Sequence, residues 1–219
     1  MELSWPGSVF DGMKGRFLGS ALAAGLLLGA CAWAIPRTGA DSRAFSPGGY
    51  IEVSLPVGDV HVVSTQGSRI ELHYRVKPKA GWFGSESSVL ANLRLRFEVH
   101  GNQASVEFKD DNGGNKSSIE VELDIPSQEN LSVRLGVGDI RVRQITGDLQ
   151  LGTGVGDIQA AVTGAGDYRS VEASTGVGDV EGGPFGNASG FVGKSLDFNG
   201  QGHYRLTAHT GVGDIKLTS

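Results

Sequence analysis

Val-Gly-Asp followed by Ile or Val occurs five times in this chain, at residues 57–60, 137–140, 155–158, 177–180 and 212–215. Three copies are preceded by Thr-Gly, as Thr153-Gly154, Thr175-Gly176 and Thr210-Gly211. Around each copy the apolar residues alternate, then resume one position out of phase. Leu131, Val133, Leu135 and Val137 give way to Ile140 and Val142; Leu149, Leu151, Thr153 and Val155 give way to Ile158, Ala160 and Val162. Period two is the signature of a strand, so each copy marks a corner where one strand ends and the next begins. Glycine supplies a backbone conformation closed to other residues, and the aspartate can hydrogen-bond its own turn. Gly58, Asp59, Gly138, Asp139, Gly156, Asp157, Gly178, Asp179, Gly213 and Asp214 are accordingly read as structural corner positions.

Successive corners from Asp139 onward lie 18, 22 and 35 residues apart. The last gap is close to two coils, with Val192-Gly193-Lys194-Ser195 inside it as a degenerate corner. A second class of turn, Thr146-Gly147-Asp148 and Gly164-Ala165-Gly166-Asp167, falls between the main ones. Strand, corner, strand, turn, repeating every 18 to 22 residues, predicts an all-β chain folded as a β-solenoid, parallel β-helix-like, in which each coil buries its inward residues against its neighbours. Thirty-five glycines against seven prolines suit frequent tight turns. The first half has longer strands, at 50–57, 60–63, 70–76, 93–99, 104–108 and 119–125, and either continues the solenoid or forms an antiparallel cap. Residues 109–116 read as a turn around Asn112-Gly113, and Trp82-Phe83 as aromatics covering an open end of the core.

The first 35 residues read as an export signal, to be left out of fold reasoning. Met13-Lys14-Gly15-Arg16 is a basic segment before the apolar residues 17–28, which makes Met13 the expected start. Leu28-Gly29-Ala30-Cys31 resembles a bacterial lipobox and makes Cys31 a lipidation site. Cleavage after Ala32-Trp33-Ala34 and an uncut anchor over residues 17–35 are the alternatives. All three place the folded part outside the cytoplasm. Cys31 is the only cysteine, so no disulfide contributes. Residues 36–49 are polar and rich in Gly, Ser and Pro and read as a flexible tether, leaving 50–219 as the folded domain.

A net charge of −5 with scattered basic residues gives no nucleic-acid surface. Residues 188–195 fit a relaxed phosphate-loop pattern, but an alternating strand follows where that loop needs a helix. Asp139, Asp148 and Asp157 are nine apart, the spacing of nonapeptide calcium solenoids, yet those repeats place a residue between glycine and aspartate that is missing here. Asp157 and Asp179 could form a glycosidase-like carboxylate pair, but their surroundings are those of every other corner. The histidines His61, His73, His100, His203 and His209 show no metal-ligand spacing. Neither catalytic residues nor a cofactor is expected.

The element Val121-Glu122-Leu123-Asp124-Ile125-Pro126, then Leu131-Ser132-Val133, then serial Gly-Asp-Ile/Val corners to the carboxyl end, resembles the bacterial putative-adhesin family of uncharacterised cell-envelope domains over residues 50–219. The resemblance implies a β-solenoid and adhesion, and supplies no catalytic residue. The expected protein is thus an exported, non-enzymatic envelope module that binds or scaffolds a protein or polymer. It would display rows of polar side chains such as Arg141, Arg143, Gln150 and Gln159 and attach to the membrane through a lipid or signal anchor. A polysaccharide-acting β-helix enzyme and a calcium-stabilised sensor or assembly module are the alternatives. The last strand, residues 215–217, would leave an open edge through which a homodimer could form.

Overall fold

The computed structural model describes residues 37–78, 93–111 and 117–219. The signal segment with Cys31, Trp82-Phe83 and the Asn112-Gly113 turn lie outside the described residues. The strands are β1 (Thr38–Ala44), β2 (Tyr50–Thr65), β3 (Arg69–Pro78), β4 (Leu93–His100), β5 (Gln103–Asp110), β6 (Ser117–Pro126), β7 (Asn130–Val137), β8 (Ile140–Arg143), β9 (Leu149–Val155), β10 (Ile158–Ala161), β11 (Tyr168–Val177), β12 (Val180–Glu181), β13 (Lys194–Asn199), β14 (Tyr204–Val212) and β15 (Ile215–Thr218). Among the described residues two 3-10 turns interrupt them, at Ala165–Asp167 and Gly183–Phe185. Among the described residues no helix is long and apolar enough to cross a membrane. The all-β expectation is met by a single 15-stranded sheet folded over one hydrophobic core.

The corners divide that sheet into two ladders. On one side β2, β7, β9, β14 and β11 run parallel in that spatial order. On the other, β2, β8, β10, β15 and β12 do the same. Registers follow the sequence repeat: Val133 sits beside Leu151, Leu151 beside Ala208, and Ala208 beside Ala173. Each alternating apolar set is buried, and the phase flip carries burial from Leu131, Val133 and Leu135 to Ile140 and Val142. In the first copy the strand runs unbroken through the corner, so β2 serves both ladders.

Several expectations are corrected. The strand pairs do not follow chain order across the sheet, because β14–β15 lies between β9–β10 and β11–β12. The cause is in the last strands themselves. β12 offers two residues before the Gly183–Phe185 turn, pairs as a ladder with β15, and meets only a single bridge at Asn187 on its other flank, so it takes the outer place. β15 offers four residues and pairs with β10 and β12. Residues 215–217 are therefore an interior strand and give no open edge for a homodimer. The degenerate corner at Val192-Gly193-Lys194-Ser195 is also absent: Lys194 begins β13, which runs antiparallel to β11 with Lys194 opposite Thr175.

The first half is a mixed cap. β3 pairs antiparallel with β1 and β6, β4 pairs antiparallel with β5, and β5 and β6 run parallel to β2. Part of the segment read as a tether, Thr38–Ala44, is strand β1. Its register against β3 runs from Thr38 opposite Arg75 to Ala44 opposite Arg69, and the following Phe45 is buried. Hydrogen-bond pairing along a formed strand holds a polar sequence that composition alone assigns to a linker. At the opposite end Tyr168, Phe185, Phe198 and Tyr204 close the core with edge-on ring contacts, including Tyr168 to Phe185 at 5.6 Å and Phe185 to Phe198 at 5.2 Å.

Candidate functional site

The corner residues come together as a ladder, in the order Asp59, Asp139, Asp157, Asp214, Asp179. The Asp139 N–H donates to Asp59 Oδ1 (3.0 Å), Asp157 N–H to Asp139 Oδ1 (3.0 Å), Asp214 N–H to Asp157 Oδ1 (2.8 Å) and Asp179 N–H to Asp214 Oδ1 (2.8 Å). Four of the five carboxylates, all but Asp179, thus cap the corner of the adjacent strand pair, where the sequence suggested that each closes its own. Buried threonines add a second tie: the hydroxyls of Thr153, Thr210 and Thr175 donate to the carbonyls of Gly138 (3.0 Å), Gly156 (2.9 Å) and Gly213 (2.8 Å). That satisfies a polar atom in a position which the alternation reserves for apolar side chains. At Gly156, with φ 142°, an added Cβ would overlap the Gly138 carbonyl oxygen of the coil beside it. Charge along the row is offset where Arg141 reaches Asp139 Oδ2 (3.0 Å) and Lys194 pairs with Asp179.

This geometry separates the three aspartates spaced by nine. Asp148 stands at the other end of β9, roughly 23 Å from Asp157 along seven strand residues, so Asp139, Asp148 and Asp157 cannot share one calcium ion. Among the described residues, the group with donor atoms close enough to hold a metal is Glu71, His73 and Asp124, all within 4.8 Å of one another on the outer side of β3 and β6. Burial raises the Asp124 carboxyl above its ordinary range, Glu122 and Glu71 add to the rise, and His73 opposes it. His61 is pushed down by burial and by Arg141, whose Nη1 lies 3.1 Å from its Nε2.

The polar side chains read as one display belong to opposite surfaces. Arg141, Arg143 and Gln159 lie on the β8–β10 side, and Gln150 on the β7–β9 side. On the latter side the residues of the polar phase form rows across the strands, all of them at least partly exposed except the buried Ser132. Tyr50, Asn130, Asp148, Arg205 and Ser170 make one row, and Glu52, Ser132, Gln150, Thr207 and Glu172 the next. Between them lies a cleft of about 290 Å³, lined by Tyr50, Asn130, Asp148, Gln150, Arg205 and Thr207 together with Leu131 and Leu149.

The side chains in the cleft are anchored. Asn130 Oδ1 accepts the Asp148 N–H (2.9 Å), Asp148 Oδ1 accepts the Arg205 N–H (2.8 Å), and Arg205 Nε donates to Ser170 Oγ (3.2 Å). Gln150 Oε1 accepts from Ser132 Oγ and Arg134 Nη2, both at 3.3 Å. Sequence reasoning named Asp148 and Gln150 for other reasons and missed Tyr50, Asn130, Arg205 and Thr207. An aromatic residue on the polar phase of β2 was the available signal; the meeting of Arg205 with Asp148 depends on the inverted coil order.

No protein-family model matches the chain, and no curated protein does. Solved structures do. A "putative cell adhesion protein" from Clostridium sporogenes is 14% identical with a TM-score of 0.50, over 83% of this chain and 99% of that one. A "putative adhesin" from Bacteroides fragilis is 12% identical (84% and 99% covered, TM-score 0.24), and another from Parabacteroides distasonis is 11% identical (85% and 72% covered, TM-score 0.25). The Clostridium likeness is one of fold. The other two scores are too low to add to it.

Proposed function

We propose that the chain is an exported, non-enzymatic, adhesin-like binding module of the bacterial envelope, built as a short β-solenoid on a mixed cap. The observation that carries this reading is the engagement of the repeated aspartates. Asp59, Asp139, Asp157 and Asp214 each hold the neighbouring coil by a backbone hydrogen bond, which marks them as framework and leaves the outer rows for contact. The parallel registers support the solenoid, and the name of the Clostridium protein supports adhesion. Export and anchoring through Cys31 rest on the lipobox-like segment. In mechanism, a stiff stack presents side chains at a repeat of ~4.8 Å, a spacing suited to a partner with repeating groups.

The test is to measure binding of the purified chain to intact bacterial cells and to isolated envelope polymers, while following polymer length. Saturable binding with polymers unchanged is expected. Shortened polymers would replace the reading with an enzyme, and absence of saturable binding would remove it.

A further inference from the structure

We infer that the cleft across β2, β7, β9 and β14 is a binding site for uncharged saccharide units of a glycan chain lying across the strands. This rests on the binding-module reading and names the ligand class of its outer face.

Four features of the cleft converge. The first is anchoring with surplus capacity. Asn130, Asp148, Gln150 and Arg205 each tie one polar atom into the sheet or a neighbouring side chain. Asn130 Nδ2, Asp148 Oδ2, Gln150 Nε2 and the terminal nitrogens of Arg205 remain for a ligand. Side chains held in this way lose little further freedom on binding. The second is the mixture of donors and acceptors. Amide N–H, guanidinium N–H and a carboxylate oxygen beside the Thr207 hydroxyl match groups that both donate and accept, as sugar hydroxyls do.

The third is charge. Arg205 and Asp148 contribute one charge of each sign, so an anionic ligand meets the carboxylate and a cationic one meets the guanidinium. An apolar ligand would strip water from both and return nothing. A peptide strand is disfavoured, because β7, β9 and β14 are each paired on both sides and offer no free backbone edge. The fourth is Tyr50, 39% exposed at one end of the row, whose ring face can stack on the C–H face of a sugar.

Size agrees with these features. About 290 Å³ lies just below the ~300–1,000 Å³ range of ligand sites, a size for a small saccharide unit rather than a large cofactor. The lining from Tyr50 to Arg205 crosses three strand spacings, about 14 Å, in line with a chain running perpendicular to the strands.

The experiment titrates the full chain with neutral hexasaccharides of glucose, N-acetylglucosamine, mannose and galactose, and with polygalacturonate as an anionic probe, by calorimetry. Tyr50→Ala, Arg205→Gln and, as a control on the opposite surface, Gln159→Ala are titrated in parallel after a thermal melt has shown each to be folded. At least one neutral hexamer is expected to bind, with Tyr50→Ala and Arg205→Gln each weakening it by roughly tenfold or more and Gln159→Ala leaving it unchanged. Lack of binding by every neutral hexamer, preference for polygalacturonate, or binding indifferent to the cleft substitutions would each overturn the assignment. Binding of the wild-type chain to intact cells, measured alongside, separates the two claims. If it persists without saccharide binding, only the ligand class is lost; if both are absent, the binding-module reading falls too.

Discussion

A glycine and an aspartate with different duties sit side by side at every corner. Gly156 adopts φ 142° against the Gly138 carbonyl, so Gly156→Val combines a disfavoured backbone with an overlap that only separation of the coils can relieve. A loss of about 3 kcal/mol or more in urea unfolding is expected. Asp157 acts through one acceptor oxygen on the Asp214 N–H. Asp157→Asn keeps an acceptor and is expected to change stability by less than about 0.5 kcal/mol, while Asp157→Ala strands that N–H and costs about 1–2 kcal/mol. Equal losses for Asn and Ala would show that the negative charge matters more than the acceptor. Glu129 poses a different case. It is buried, its Oε2 accepts the Gly49 N–H at 2.6 Å, and its Oε1 has no hydrogen-bond partner among the described residues. Burial raises its carboxyl above the ordinary 4.5, with the backbone hydrogen bonds opposing. The folded state therefore holds the proton in a window where the unfolded chain has released it. This group's contribution falls as pH rises from about 4.5 through the folded value, then levels. Glu129→Gln removes that decline, so the stability difference between variant and wild type should grow over this window; a constant difference from pH 4 to pH 8 would contradict it.

Elements and coils differ in how much of them can be read from sequence. Alternation in Leu93–His100 or Ser117–Pro126 reveals strands because one face is buried and the other wet, and the phase flip locates corners because burial must change sides there. The order of coils is not legible, since the three Thr-Gly-Val-Gly-Asp corners offer the same donors and acceptors and could stack in any sequence. What breaks the tie is an ending: Gly182-Gly183-Pro184 stops β12 after two residues. The cleft inherits that limit, because Asn130, Asp148 and Arg205 become neighbours only after the coils are ordered. β1 was hidden for another reason, its polar residues being held by pairing with β3 more than by burial. The interior position of β15 has a direct consequence. In native-state hydrogen exchange the Ile215 and Leu217 amides should be protected to nearly the same degree as Ile140 and Val142, and those of β12 and β13 should exchange earlier. Early exchange at Ile215, as for a fraying terminus, would place β15 at an edge.

At the scale of the molecule, a row of aspartates and buried threonines ties neighbouring strand pairs of one sheet together, with mixed parallel and antiparallel pairing in the first half and an aromatic cluster around Tyr168 in the second. The parallel pairings bring together residues far apart in sequence, such as Arg205 and Asp148, 57 positions apart. If the amino-terminal segment anchors this stack, Cys31→Ser should abolish incorporation of labelled fatty acid in bacterial cells and release the chain from the membrane fraction; retained label would exclude lipidation at Cys31. Across the sheet β15 lies between β10 and β12, out of chain order. Gln159 and Lys216 are register partners on adjacent strands β10 and β15, whereas Glu181 lies one strand further on. The parallel spacing of ~4.8 Å between neighbours is within disulfide reach, and twice that is beyond it. In a Cys31→Ser background, Gln159→Cys with Lys216→Cys should form an intramolecular disulfide on mild oxidation, and Gln159→Cys with Glu181→Cys should not. Cross-linking of the second pair alone would restore stacking in chain order and contradict the fold described.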